Sequence, residues 1–159
     1  MQEIERKFLL PSPPSDIVNR GGSSISQGYI VITEDAEVRI RKKRDAFFLT
    51  VKRGRGEVRL ETEIRLSDDQ FRELWPMTEG RRIEKTRYEE HRADRMIEID
   101  IYHGELSGLL TAEVEFPDRA ASAAFQPPPW FGTEVTEDER YKNKHLALHG
   151  RPRDPGPVR

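Results

Sequence analysis

The 159-residue chain contains no cysteine, which removes disulfide frameworks and thiolate metal sites from consideration. No apolar run nears the roughly 20 residues a membrane-spanning helix needs. The N-terminus carries glutamates where a secretory signal would place lysines and then an apolar stretch. Hydrophobic residues reach only 35%, equalled by charged residues at 35%, against roughly 25% charged in an ordinary globular chain. Neither sign dominates: 27 lysines and arginines meet 29 acids, for a net charge of −2. That balance offers no general attraction to nucleic acid or an anionic membrane. The expectation is a cytoplasmic protein with no nucleic-acid and no membrane partner. One domain is expected over residues 1–149. The remaining residues 150–159, GRPRDPGPVR, are too rich in proline and glycine to pack and read as a disordered tail.

What is present is alternation. EIERKFLL (3–10), SSISQGYIVI (23–32), AEVRIRKK (36–43), FFLTVKRG (47–54) and EVRLETEIRLS (57–67) have the two-residue period and the branched or aromatic content of strands. RRIEKTRYEEHR (81–92), RMIEIDIYHG (95–104) and LLTAEVEFPD (109–118) add three more. PSPPSD (11–16) reads as an extended connector because proline lacks an amide. SDDQFRELW (67–75) switches to helical period behind a Ser67 cap. Helical segments are also expected at 119–125 and through 136–148. About eight consecutive, short-linked strands with two or three helices predict a mainly β (α+β) fold, an antiparallel meander that curls or closes.

Sorting the strands by parity gives one apolar face, with Ile4, Phe8, Val38, Ile40, Leu49, Leu60, Ile64, Ile97, Ile99 and Val114 expected beneath helices. The other face is almost purely charged. A wet antiparallel face would do the same, but it would also mix in serine, threonine and asparagine. Instead the acids come in i, i+2 pairs on four strands: Glu3/Glu5, Glu61/Glu63, Glu98/Asp100 and Glu113/Glu115. Such pairs from neighbouring strands can converge on a hard divalent cation. Arg39/Arg41 and Lys85/Arg87, with Lys7 and Lys52, put cations on the same face. Crowded cations beside a carboxylate–metal cluster suit a polyphosphate, whose oxygens accept from guanidinium forks and are bridged by Mg²⁺.

These residues resemble the CYTH-type triphosphate tunnel metalloenzymes. The Glu-x-Glu-x-Lys at Glu3, Glu5 and Lys7 is similar to that family's identifying motif. VRIRKK, FFLTVKRG, RLETEIRL, EKTRY, IEIDIYHGELSGL, AEVEF and YKNKHLAL follow in the family's order across residues 2–148. The resemblance implies an eight-stranded antiparallel closed β-barrel with charged residues inside and a few helices packed outside. It implies a metal-dependent hydrolase of a small-molecule triphosphate, nearest the branch that acts on inorganic tripolyphosphate. It assigns Glu3, Glu5, Glu113 and Glu115 to the metal, with Mg²⁺ or Mn²⁺ as cofactor. It assigns Lys7, Arg39, Arg41, Lys52, Lys85 and Arg87 to the phosphates, and Lys142 beside the terminal helix to a further contact. Glu61, Glu63 and Asp100 are left to orient the attacking water or hold a second metal, and Glu98 receives no role.

Alternatives on the same fold are a nucleoside or thiamine triphosphatase and an adenylyl cyclase. From another class comes a non-catalytic polyphosphate-binding module, which would not need all four acid pairs. A homodimer is an open option. RGRG (53–56) is read as a hairpin turn, since it lacks Walker spacing. The basic run 41–44 is too short to argue nucleic-acid binding.

Overall fold

The structure, a computed structural model, describes residues 4–54, 60–92 and 95–153. Its strands are β1 (Glu5–Leu9), β2 (Ser23–Ile32), β3 (Ala36–Lys43), β4 (Ala46–Arg53), β5 (Leu60–Leu66), β6 (Arg82–Arg92), β7 (Arg95–Tyr102) and β8 (Leu110–Glu115). They form one antiparallel sheet in the order β1-β8-β7-β6-β2-β3-β4-β5. All eight expected strands are present, and their registers sort the side chains into the two faces read from the sequence. A bulge between Tyr29 and Val31 changes parity at the end of β2. It leaves Tyr29 buried on the charged side while Val31 is exposed.

The helices are α1 (Ser15–Val18), α2 (Asp68–Leu74), α3 (Arg119–Ala124) and α4 (Asn143–His149). α2 carries a full capping box: Ser67 Oγ accepts from the Gln70 amide and the Gln70 side chain accepts from the Ser67 amide. Two expectations differ. The connector 11–16 ends in a helical turn, because Pro14 at the cap position lacks only an amide the first turn leaves unpaired. The segment 136–148 is not one helix. It becomes a 3₁₀ turn at Glu139–Tyr141 and then α4, since the residues just before it are held as extended chain.

That extended segment bears on closure. Leu9 donates to the Thr133 carbonyl at 2.8 Å, Gly132 to Leu9 at 2.7 Å, and Val135 to Lys7 at 2.8 Å. The Lys7 amide donates to Thr136 Oγ1 at 3.0 Å, and Phe8 bridges Glu134. Residues 132–136 thus strap the free edge of β1. Among the described residues β1 pairs only with β8 and β5 only with β4. The ladder therefore has two ends where the sequence reading expected a closed ring, and the strap occupies the edge on which closure would depend. The sheet is nonetheless strongly concave. Lys43 of β3 reaches over β2 to Glu89 of β6 at 2.6 Å.

Outside the curl, Phe8, Ile97, Ile99, Val114, Phe116 and Phe125 make one apolar cluster, and α2 packs Phe71 on Ile40 and Leu66 to make another. Arg6 locks the strap to the first cluster. Its guanidinium grips Glu134 at 2.8 and 3.0 Å and lies 5.4 Å from the Phe8 ring centre. The expected cover over Leu60 and Ile64 is missing: they are 69% and 52% exposed, because α2 spans only the Leu66 end of β5. A third cluster lies inside the curl, where Leu146 of α4 packs with Tyr29, Ile83, Tyr102 and Tyr141, plugging one end. In the described part of the expected tail, Arg151 lies 3.5 Å from the Ser107 carbonyl; residues 154–159 lie outside the described residues. No helix among the described residues is long and apolar enough to cross a membrane.

Candidate active site

The concave face is built from strand parity. β3 contributes Glu37, Arg39, Arg41 and Lys43, and β4 contributes Phe48, Thr50 and Lys52 opposite them. β5 adds Glu61, Glu63 and Arg65. From the other side come Lys85, Arg87 and Glu89 of β6, Glu98 and Asp100 of β7, Glu113 and Glu115 of β8, and Lys7 with Glu5 of β1. Of the expected site residues with described coordinates, all but Lys142 fall on this one face. Glu3 lies outside the described residues. Lys142 precedes α4 with Nζ 3.6 Å from Glu139 and 46% of its side chain exposed, so it is held on the plug's outer surface rather than brought inward. Lys144, two residues on, does turn inward, with Nζ 4.0 Å from Glu37.

The densest knot joins β6 and β7. Arg87 donates to both Asp100 oxygens, at 2.8 and 2.9 Å, and to Glu98 at 3.0 Å. Lys85 Nζ lies 2.9 Å from the same Asp100, and the side chains of Lys85 and Asp100 are both 1% exposed. Burial disfavours the Asp100 carboxylate, but Lys85 and Arg87 outweigh it and hold its pKa well below the usual range. Burial pulls Lys85 down to about 8, with Asp100 opposing and Arg87 assisting the fall. Glu98 is shifted upward, first by burial and then, against Arg87, by the neighbouring acids Glu113 and Asp100.

Elsewhere the pairs are looser. Lys7 Nζ donates to the Tyr141 carbonyl at 2.6 Å and lies 3.6 Å from Glu113. That lysine offsets the burial penalty at Glu113, whose pKa is lowered overall. Lys52 lies 3.8 Å from Glu61, and Arg41 3.7 Å from Glu63, which also accepts from Thr50 Oγ1 at 3.0 Å. Burial lowers the pKa of Arg41, and Arg39 and Arg87 add to that shift. Cations gathered this densely on one face favour an anion with many acceptor oxygens.

The donor set for a cation is all oxygen. Glu5 lies directly opposite Glu115, and Lys7 opposite Glu113, on adjacent strands. No three described acidic or histidine side chains form a metal cage. Mg²⁺ does not need one, because it takes few carboxylates and keeps water and phosphate oxygens as its other ligands. The residues present therefore fit such an ion. A cleft of about 1010 Å³ opens on the far side of β1, sharing Glu5 with this face. Its lining sets Glu134, Glu137, Asp138 and Glu139 beside Arg6 and Arg119 and lacks the rows of cations found on the concave face.

The chain is 48% identical over 150 residues to an inorganic triphosphatase from Nitrosomonas europaea, a match covering 93% of this chain and 98% of that protein. It is 37% identical over 148 residues to an inorganic triphosphatase from Acetivibrio thermocellus, covering 92% and 93%. The chain belongs to the inorganic triphosphatase family. A crystal structure of an inorganic triphosphatase superposes with a TM-score of 0.73 at 44% identity, over 96% of this chain and 98% of that one. A candidate adenylyl cyclase from Hippeastrum, described as having a dominant triphosphatase activity, superposes at 0.59 over 76% and 82%. At 15% identity it shares the fold alone. No protein-family model matches the chain. The CYTH-type resemblance read from the sequence is thus borne out at the level of the triphosphatase family.

Sequence reasoning passed over several members of this site. Glu98 was on the face with no role. Tyr29 and Tyr102 were allowed on the charged face but given no role, and both are buried there, opposite Arg39 and Lys85. Phe48 sits between two cations, 5.9 Å from Arg41 and 5.5 Å from Arg65, although its neighbour Phe47 packs outward. Strict parity counted from Lys52 would have found Phe48.

Proposed function

We infer that this member of the inorganic triphosphatase family hydrolyses inorganic tripolyphosphate to pyrophosphate and phosphate. The observation carrying the reading is the concave face itself, where Arg39 and Arg41 of β3 and Lys85 and Arg87 of β6 stand on the two strands that flank β2, with carboxylates at both flanks. The curl acts as a tunnel for the phosphate chain, with the α4 plug limiting what enters at that end. A closed barrel, the finer form of that reading, would require the strap of residues 132–136 to leave the β1 edge it occupies.

Arg39, Arg41 and Arg87 offset charge on the non-bridging oxygens, and Lys7, Lys52 and Lys85 add point charges along the chain. Glu5, Glu115 and Glu113, with Glu3, would hold the Mg²⁺ or Mn²⁺. When bound, that ion neutralises phosphate charge and helps activate water. Glu63, fixed by Thr50, and Glu61, beside Lys52, orient the water in line with a terminal phosphorus. The water oxygen bonds to that phosphorus, the bridging P–O bond breaks, pyrophosphate leaves, and a carboxylate takes the proton. Asp100 has a different part in this reading. Both its oxygens are engaged by Arg87 and Lys85, so it holds these cations in place.

Phosphate release from tripolyphosphate, ATP and thiamine triphosphate with Mg²⁺ or Mn²⁺ tests the reading. Turnover of tripolyphosphate well above the others is expected, and binding without turnover would select the non-catalytic module. Phe48 favours a second reading, a nucleoside triphosphate stacked on that ring, and cyclic AMP formed from ATP would select a cyclase. A cytoplasmic location and a homodimer belong to the same proposal. The dimer is supported by exposed Leu60 and Ile64 on edge strand β5, and sedimentation velocity of the full chain tests it.

A further inference from the structure

Between the two cation rows of the concave face lies a neutral side chain that the proposed chemistry does not yet use. Gln27 of β2 is directly opposite Arg41 of β3 on one side and Ile83 of β6 on the other. Ile25, two residues earlier on the same strand face, is opposite Lys85. Gln27 is 1% exposed, yet neither its Nε2 nor its Oε1 has a partner at hydrogen-bonding geometry. Gln27 does act on the hydroxyl of Tyr29, its neighbour on this face, but too weakly in geometry to count as its partner. A buried amide left unpaired costs folding free energy, and such groups in native proteins call for an explanation.

The neighbours share the same deficit. Nε of Arg39 and Nε of Arg41 are also buried without an acceptor. Three buried N–H donors on two adjacent strands of this face thus have no acceptor at hydrogen-bonding geometry among the described residues, although the Arg39 side chain does interact with the Tyr29 hydroxyl. A hydrophobic filler would have been cheaper for packing alone. The group that satisfies several donors at once, beside cations, is a tetrahedral oxyanion, whose oxygens each accept more than one hydrogen bond.

We propose that Gln27 is a substrate-contacting residue of the tripolyphosphate site, donating its side-chain amide to a phosphate oxygen held between Arg39 and Arg41. This deepens the proposed function and rests on it. A neutral donor adds a directional contact without further repulsion among the clustered cations. Its position next to Tyr29 and the Leu146 plug puts the contact near the end of the curl that is sealed, where a phosphate chain terminates.

The experiment pairs kinetics with a resonance. Gln27→Leu keeps similar volume and removes both unpaired polar atoms, so the free protein should melt at the same temperature as wild type or higher. Its kcat/KM for tripolyphosphate with Mg²⁺ should fall about ten- to a hundredfold, the range for one hydrogen bond to a charged group. Gln27→Glu, which adds a like charge beside the phosphate, should lose more. In the wild-type protein the Gln27 side-chain NH₂ resonance, assigned by its loss in Gln27→Glu, should shift on adding tripolyphosphate without metal. Leucine kinetics within twofold of wild type, or an amide resonance that ignores saturating tripolyphosphate, would overturn the assignment. The resonance decides alone if the leucine variant fails to fold. A wild type that binds but does not hydrolyse tripolyphosphate would sink the proposed activity and leave the contact to be judged by the resonance.

Discussion

Arg87 grips Asp100 in a two-pronged fork, Nε to Oδ1 at 2.8 Å and a terminal nitrogen to Oδ2 at 2.9 Å, between residues directly opposite on β6 and β7. Lys85 closes on the same carboxylate at 2.9 Å. Replacing Asp100 by Asn leaves two buried cations without their counter-charge. Breaking a buried pair by removing one partner costs about 3–5 kcal/mol, so Asp100→Asn should melt several degrees lower. Tripolyphosphate should raise the melting temperature of the variant more than that of wild type, because the anion restores the missing charge. If the variant kept wild-type stability and substrate affinity but lost only kcat, Asp100 would be acting on the water instead.

Lys85 gives the pH dependence. Its pKa falls from 10.5 to about 8 in the fold, so its ammonium is charged at pH 7 and is lost as pH rises through 8. The kcat/KM for tripolyphosphate should therefore decline above about pH 8, and Lys85→Arg should flatten that limb because guanidinium stays charged. The stability sign is opposite. Between about pH 8 and 10.5 the unfolded chain binds the proton that the folded chain has released, so this residue makes the fold more stable as pH rises. Wild type should gain stability over that window relative to Lys85→Met. Parallel curves for the two proteins would contradict the shift.

Legibility in the sequence followed how far a side chain's type reports its surroundings. In β3 and β5 apolar and charged residues alternate without a break, so Arg39, Arg41, Glu61 and Glu63 could be assigned to one face before any coordinate was known. The second strand is different. In SSISQGYIVI no charge marks a face, Ile25 points inward beside Lys85, and the bulge after Tyr29 reverses parity, so Gln27 carried no signal and Tyr29 could be allowed on the charged face only without a role. The strap was invisible for another reason: FGTEVT is too short to alternate, and the backbone bonds that tie it to β1 leave no residue signature. Nor could composition tell Asp100 from Glu5. Both are acids two residues from another acid, and only burial against Lys85 and Arg87 separates a counter-ion from a candidate metal ligand. Lys142 and Lys144 differ likewise only in which side of the plug they reach.

Glu5 and Glu115 are cross-strand partners at the end of β1 and β8, and in the proposed site they share the cation. Glu5→Gln and Glu115→Gln should each raise the Mg²⁺ concentration needed for half-maximal hydrolysis by tenfold or more. Metal-free binding of tripolyphosphate, measured by calorimetry, should stay near that of wild type, because the cations are untouched. Chelation with EDTA should abolish wild-type turnover, and Mg²⁺ or Mn²⁺ should restore it. An unchanged Mg²⁺ requirement in both variants would take the ion away from this pair.

Gly132 tests the strap that keeps the two ends of the sheet apart. A Cβ at this position would lie 2.7 Å from the Leu9 carbonyl oxygen, which is also the acceptor of the Gly132 amide. The opposing atom is backbone within a paired strand, so it cannot rotate away as a side chain would. Gly132→Ala must therefore push the strap off β1 and loosen the bonds from Leu9 to Thr133 and from Val135 to Lys7. Loss of two or three such bonds, each worth about 1 kcal/mol net, should lower stability by roughly 2–3 kcal/mol. Amide exchange at Leu9 and Val135 should accelerate before that of Ile99 in the sheet interior, since the strap would open as its own unit. Lys7 loses its backbone anchors in the same event, so the tripolyphosphate KM should rise while Asp100-linked stability is kept. Exchange accelerating uniformly through β7 and β8 would mean instead that the strap and the sheet unfold together.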